Sequence, residues 1–237
     1  MADTHVPFHD IRAIGAVLAF VADVQPDRFI HGGDYFDFPE FSRHTKKTVG
    51  ERPTFQQSQD EGLKLMEYIQ SAYHLDTLLE GNHDSHPERW IANIAPEFIG
   101  CKALAVPRML QLRKHRVNWQ TIDEQRDFMV GPVNVHHGFA TGKNHLNASL
   151  AANPRHQVYA HTHKDGIGVG SRFGGDVSRA MSVGCLRDLW PDWKRGRPSD
   201  WTQSVGSFWW DKNELLEMQI HQIKDGVLTA NGKRYKA

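Results

Sequence analysis

Five short groups of carboxylate, amide and imidazole side chains recur along the chain: Asp3-x-His5, Gly33-Asp34-x-x-Asp37, Gly81-Asn82-His83-Asp84, His137-Gly138 and His161-x-His163. Oxygen and imidazole-nitrogen donors without a thiolate suit Mn²⁺, Fe, Co²⁺, Ni²⁺ or Zn²⁺. In a strand, His161-x-His163 puts both rings on one face, which suits a metal. Each group alone has a plainer explanation. Gly81-Asn82 alone is a turn, Asp3-Thr4-His5 alone an ordinary terminus, and most of the 15 histidines are surface scatter. The information lies in the ordered set.

Such groups need elements to hold them, and the sequence places them where strands stop. Asp10 caps a helix with Ile11, Ile14, Leu18 and Val21 at helical spacing. Residues 28–31 read as a strand running into Gly32-Gly33-Asp34. A polar loop is expected over about 42–54, a helix from Phe55 to Tyr73, and a strand over 77–80 that stops at Gly81-Asn82. His86-Pro87-Glu88 opens another helix, with Pro87 in its first turn. Residues 132–135 and 157–159 read as strands ending at histidines, with a helix over 143–152 between them. Strands are expected at 181–183, 207–210 and 216–223, and Asp225-Gly226 and Asn231-Gly232 are hairpin signals. The expected fold is α/β, a layered β-sandwich flanked by helices, forming a single domain over residues 1–237.

Taken in order, the five groups resemble the signature of the calcineurin-like metallophosphoesterases, over about two-thirds of the chain. The resemblance implies two divalent metal ions, Mn²⁺ being the first expectation and Fe, Zn, Ni or Co the alternatives. It implies that Asp3, His5, Asp34 and His163 hold one ion, and that Asp34, Asn82, His137 and His161 hold the other, with Asp34 bridging. His137 is preferred to His136 because the family's ligand directly precedes the glycine. The resemblance makes His83 a catalytic residue that protonates the leaving oxygen or stabilises the transition state, with Asp84 orienting its ring, and makes Asp37 a supporting partner. His9, His31, His86 and His145 are candidates for the vicinity of the site, with ordinary surface or loop positions the favoured reading. Only Met1 and Ala2 precede Asp3, so either the true N-terminus is longer or the first strand is almost absent. In the second case a charged amino terminus beside the first metal is expected to leave that site partly filled.

The implied activity is phosphoester hydrolysis. The phosphoprotein-phosphatase branch reads Gly-Asp-x-x-Asp-Arg-Gly and Gly-Asn-His-Glu, whereas this chain has Phe38-Pro39 after Asp37, and Asp84 in place of Glu. The pattern is similar to compact bacterial and phage phosphoesterases. A phosphodiesterase acting on a nucleotide or nucleic acid is expected, with a phosphomonoesterase or a catalytically weak scaffold as alternatives. Arg187, Trp190 and Arg197, among the tryptophans and cations of residues 186–201, are candidate substrate contacts. The plainer reading of that segment is a loop packed on the core or on a second subunit, so a homo-oligomer is an open expectation.

Bulk composition excludes other classes. Lys+Arg and Asp+Glu are 28 each, so no global field draws in nucleic acid or anionic lipid. Two cysteines are too few for a disulfide framework. No signal peptide or membrane-spanning run is read, and a cytoplasmic protein is expected. The His-x-His-x-Asp-His run of metallo-β-lactamase-type hydrolases is absent, as is any serine or thiol nucleophile motif.

Overall fold

A computed structural model describes residues 1–41, 52–171, 175–191 and 197–237. Most of the polar loop expected over 42–54, and Trp193, Lys194 and Arg195, lie outside the described residues.

Helix α1 (Ile11–Val24) starts where Asp10 accepts hydrogen bonds from the amides of Arg12 and Ala13, and it buries Ile14, Val17, Leu18 and Val21. Helix α2 (Phe55–Ala72) starts in a reciprocal cap between Thr54 and Gln57, which satisfies two otherwise orphaned amides. Its buried Leu65, Met66 and Ile69 recur at the spacing of one helical face. Both helices contribute to one core cluster with Phe36, Phe38 and Leu110.

Among the described residues the strands form three sheets. β1 (Ile30–His31), β2 (Thr77–Leu79) and β3 (Asn118–Gln120) make a parallel set. β4 (Met129–Val130), β5 (Val133–Val135), β6 (His156–Tyr159), β7 (Gly166–Ser171) and β8 (Val177–Ser182) pair in the order β4-β5-β6-β8-β7. β9 (Ser204–Asp211), β10 (Glu214–Lys224), β11 (Val227–Ala230) and β12 (Lys233–Tyr235) form an antiparallel meander. Leu79, Val133, Val135, Met181 and Met218, one or more from each sheet, bury one another with Ile30, Phe208 and Trp210 packed on them. The fold is thus mixed α/β, with several sheets and flanking helices. Among the described residues no helix is long and apolar enough to cross a membrane.

The short run before Asp3 is paired. The Met1 amine donates to the Ile30 carbonyl at 3.0 Å, and the Gly32 amide donates to the Met1 carbonyl at 2.8 Å. The amides of Asp3, His5 and Val6 donate to the carbonyls of Gly33, Asp34 and Tyr35 at 2.8–3.0 Å. This parallel ladder fixes the first two groups of the expected site side by side.

Candidate metal centre

The chemistry-bearing segments follow directly from strand ends. Asp34 follows β1, Asn82 to Asp84 follow β2, His137 follows β5, and His161 and His163 follow β6. Because β1 and β2 are parallel, as are β5 and β6, these ends open on common edges. Helix α3 (His86–Ile94) leaves immediately after the third group, and α6 (His145–Ala152) lies between the last two.

Seven side chains meet there as two groups sharing Asp34. In the first, His5 Nε2 lies 2.9 Å from His163 Nε2 and 3.7 Å from Asp34 Oδ2. Asp3 Oδ1 lies 3.9 Å from His5 Nε2 and 3.8 Å from His163 Nε2. In the second, His137 Nε2 lies 3.1 Å from Asn82 Oδ1, 3.2 Å from His161 Nδ1 and 3.4 Å from Asp34 Oδ2.

Their proton positions make these groups fit a cation. His137 Nδ1 donates to the Gly32 carbonyl at 2.9 Å, and His5 Nδ1 donates to Asp37 Oδ1 at 2.9 Å. A neutral imidazole with its proton on Nδ1 offers only a lone pair at Nε2. In that neutral form the His137 lone pair would face an amide oxygen and a carboxylate oxygen, neither of which can donate, beside the His161 ring nitrogen at 3.2 Å. Asp3 Oδ1 is buried with no hydrogen-bond partner. Buried acceptors that face one another without a proton between them are costly, and a divalent cation bound by oxygen and imidazole donors removes that cost.

The electrostatics show the same demand for positive charge. Burial, reinforced by Asp34, holds the Asp3 carboxyl well above the usual range. Burial opposes ionisation of Asp34 too, but His137 and its other histidine neighbours hold its pKa well below the usual value. Burial disfavours a charged His137, yet Asp34 and Asp3 together raise it to about 10. Burial lowers His5 to about 4 and holds His163 well below its ordinary value. A histidine that must carry a proton among neutral ones marks where a cation is wanted.

The backbone also bears a cost here. Asp3, His5, Asp34, His161 and His163 all have φ between 49° and 71°. Non-glycine residues rarely adopt that region, and each such residue costs of order 1–3 kcal/mol. Five of the seven converging residues share it.

The sequence profile of the calcineurin-like phosphoesterase family matches residues 1–185, which include all seven. The chain is a calcineurin-like phosphoesterase. Membership makes it a hydrolase of phosphate esters that works with divalent metal ions. Relatives of the phosphoesterase include the gene 54 protein of Mycobacterium phage D29, 26% identical over 252 aligned positions that cover 99% of this chain and 94% of that protein. The gene 54 protein of Mycobacterium phage L5 is 33% identical over 102 residues, 42% of this chain and 40% of that protein.

Several expected positions differ in detail. Asp84 does not orient the His83 ring. It is buried, and its carboxylate accepts from the amides of Gly81 (2.9 Å), Phe36 (3.0 Å) and Tyr35 (3.3 Å). It therefore ties the loop after β2 to the loop after β1. The phosphoesterase instead orients His83 through its Nδ1, which donates to the Asp37 carbonyl at 3.0 Å. His136 faces away from the centre, bonding Gln157 Oε1 at 3.0 Å and stacking on Tyr159.

Of the three substrate-contact candidates, only Arg187 is brought to the centre. Its Nη1 donates to Asp37 Oδ1 at 3.1 Å, and its guanidinium lies between the rings of Phe8 and Trp201. Trp190 and Arg197 are exposed, and neither makes a hydrogen bond or ring contact with these residues. Two histidines read as surface or loop residues prove buried: His31 bonds Thr4 Oγ1 beneath the centre, and His145 bonds the Tyr159 hydroxyl. His86 packs against His83 with ring centroids 4.6 Å apart and the planes tilted by 46°. Its placement three residues after His83, at the start of a Pro-initiated helix, was the available signal. An apolar cavity of about 570 Å³ among Phe20, Val21, Ile30, Val158 and Val205 contains none of the seven converging residues.

Proposed function

We propose that this phosphoesterase hydrolyses a phosphodiester, of a nucleotide or nucleic acid, with two divalent ions. Asp3, His5, Asp34 and His163 would hold one, and Asp34, Asn82, His137 and His161 the other. When bound, such ions neutralise phosphate oxygens and lower the pKa of water toward about 7. The observation that carries this reading is the pair of acceptor groups sharing one carboxylate.

The chain's own residues have distinct tasks. Asp34 Oδ1 accepts from the His83 amide at 2.8 Å, which positions His83 at the rim. With Nδ1 committed to the Asp37 carbonyl, the ring carries a proton to the departing oxygen on Nε2. The Asp37 carboxylate lies 3.8 Å from Nδ1. Arg187 adds fixed positive charge beside Asp37. The diester preference rests on the residue after Asp37: Phe38 is fully buried and stacks on Phe36, so it offers no cation to a terminal phosphate.

The test removes metal with chelator, restores Mn²⁺, and compares bis-p-nitrophenyl phosphate with p-nitrophenyl phosphate. Metal-dependent cleavage favouring the diester is expected, and His83→Ala should lower the rate about 10²–10⁴-fold with metal content unchanged. Preference for the monoester would overturn the diester assignment. Loss of metal in His83→Ala would overturn the role given to that ring.

A further inference from the structure

The chain is neutral overall, but its charge is unevenly spread. Between Glu97 and Asp123 there are five Lys or Arg residues and no acid, which leaves the rest of the chain net acidic. All five, Lys102, Arg108, Arg113, Lys114 and Arg116, are exposed. Some exposed cations elsewhere reach carboxylates: Arg28 reaches Asp76 at 2.6 Å, Lys64 reaches Glu61 at 2.7 Å and Lys233 reaches Asp23 at 2.8 Å. In this segment only Lys114 has one among the described residues, Glu67 at 4.0 Å.

The cations are held in place. Helices α4 (Val106–Met109) and α5 (Leu112–His115) are single turns joined through Gln111, whose φ is 51°. Val106, Met109, Leu110, Leu112 and Val117 are buried and anchor the segment to the core. A surface recess of about 650 Å³ results, lined by Pro107, Arg108, Gln111, Arg113 and Lys114. Three cations around one recess repel one another, and an anion relieves that repulsion.

We propose that this recess and its flanking cations bind the sugar–phosphate backbone of a nucleic-acid strand, making the substrate polymeric. Guanidinium forks match phosphate oxygens, and several cations on one surface suit a chain of phosphates better than a single anion. Helix α3, which begins at His86 against the His83 ring, leads the chain toward this segment and exposes Arg89 and Trp90 on the way. Binding energy from a strand held away from the reacting bond can be used at that bond. The inference rests on the diesterase reading for its link to catalysis, but the binding itself can be measured apart from it.

The metal-loaded protein would be titrated with a cleavage-resistant phosphorothioate single strand of about 20 nucleotides, across a range of salt concentrations. The triple variant Arg108→Gln, Arg113→Gln, Lys114→Gln should bind about tenfold or more weakly, with the slope of log affinity on log salt reduced by about 2. Its hydrolysis of bis-p-nitrophenyl phosphate should equal that of the unaltered protein. The charge-keeping variant Arg108→Lys, Arg113→Lys should retain the slope, which separates lost charge from lost folding. Unchanged affinity and slope in the triple variant would overturn the proposal. So would an unaltered protein that ignores the strand and binds phosphatidylserine vesicles through the same residues. Strand binding lost as expected, in a protein inactive on the diester, would support the patch and sink the diesterase reading.

Discussion

The metal-binding edge and the C-terminal meander use the same unusual backbone conformation for opposite ends. In the meander, left-handed residues sit where the chain reverses: Asp225-Gly226 between β10 and β11, Asn231-Gly232 between β11 and β12. Both residues of each pair have positive φ, as the two-residue turn matching strand twist requires. These residue types adopt it at little cost. At the edge the same region is occupied by Asp3, His5, Asp34, His161 and His163, three of them imidazoles. Local preference explains the first set. Asp and His enter this region more readily than most side chains, but no turn sequence places the second set there: it is held by the parallel ladder from Met1 to Val6 and by bonds such as the His161 amide to Asp3 Oδ2 at 3.0 Å. The lesson is that the centre is built for a cation at the expense of the chain around it.

The largest expected effect is at the carboxylate common to both groups. Asn tolerates positive φ and can keep the bond from the His83 amide, so Asp34→Asn changes charge with little change in shape. Activity should fall about 10³-fold or more, with reduced metal content by elemental analysis. Full activity would mean that the two groups do not act as one centre. A smaller loss is expected one layer out. Asp37 Oδ1 takes the His5 Nδ1 proton and the Arg187 guanidinium together. Asp37→Ala frees the His5 ring and should weaken metal binding about 10–100-fold in a competition titration. Affinity equal to the unaltered protein would show that the ring is held by its metal alone.

Legibility in the sequence divides along the same line. The meander's turns were readable because Asp-Gly and Asn-Gly state their backbone geometry. Helices α1 and α2 were readable because their apolar residues keep helical spacing. The seven converging residues were found through a family pattern, since nothing local in Asp3-Thr4-His5 announces a ligand. Strand β7 escaped because its Gly166, Gly168 and Gly170 suggest a loop. Its glycines instead admit helix α6, and a Cβ on Gly166 or Gly168 would come within 3.0–3.1 Å of Leu146. β3 escaped because three residues pair with β2 across about forty positions of chain. Asp84 was misassigned because its amide partners come from another loop, which no spacing within Gly81-Asn82-His83-Asp84 reveals.

The smallest expected effect tests the comparison most closely, because it sets one residue from each region side by side. Lys212, between β9 and β10, has φ 52°, and His161 has φ 71°. Glycine removes the left-handed strain at either position but adds entropy to the unfolded chain, so Lys212→Gly should change stability by only a few tenths of a kcal/mol. His161→Gly also takes a nitrogen out of the crowded second group. Metal-free protein carrying it should gain about 1 kcal/mol in denaturant unfolding. With Mn²⁺ in excess the order should reverse. The His161 variant forfeits the stabilisation that bound metal gives the folded state, and the Lys212 variant keeps it. A metal-free His161→Gly protein less stable than its parent would break the comparison, since the imidazole would then be holding the edge together.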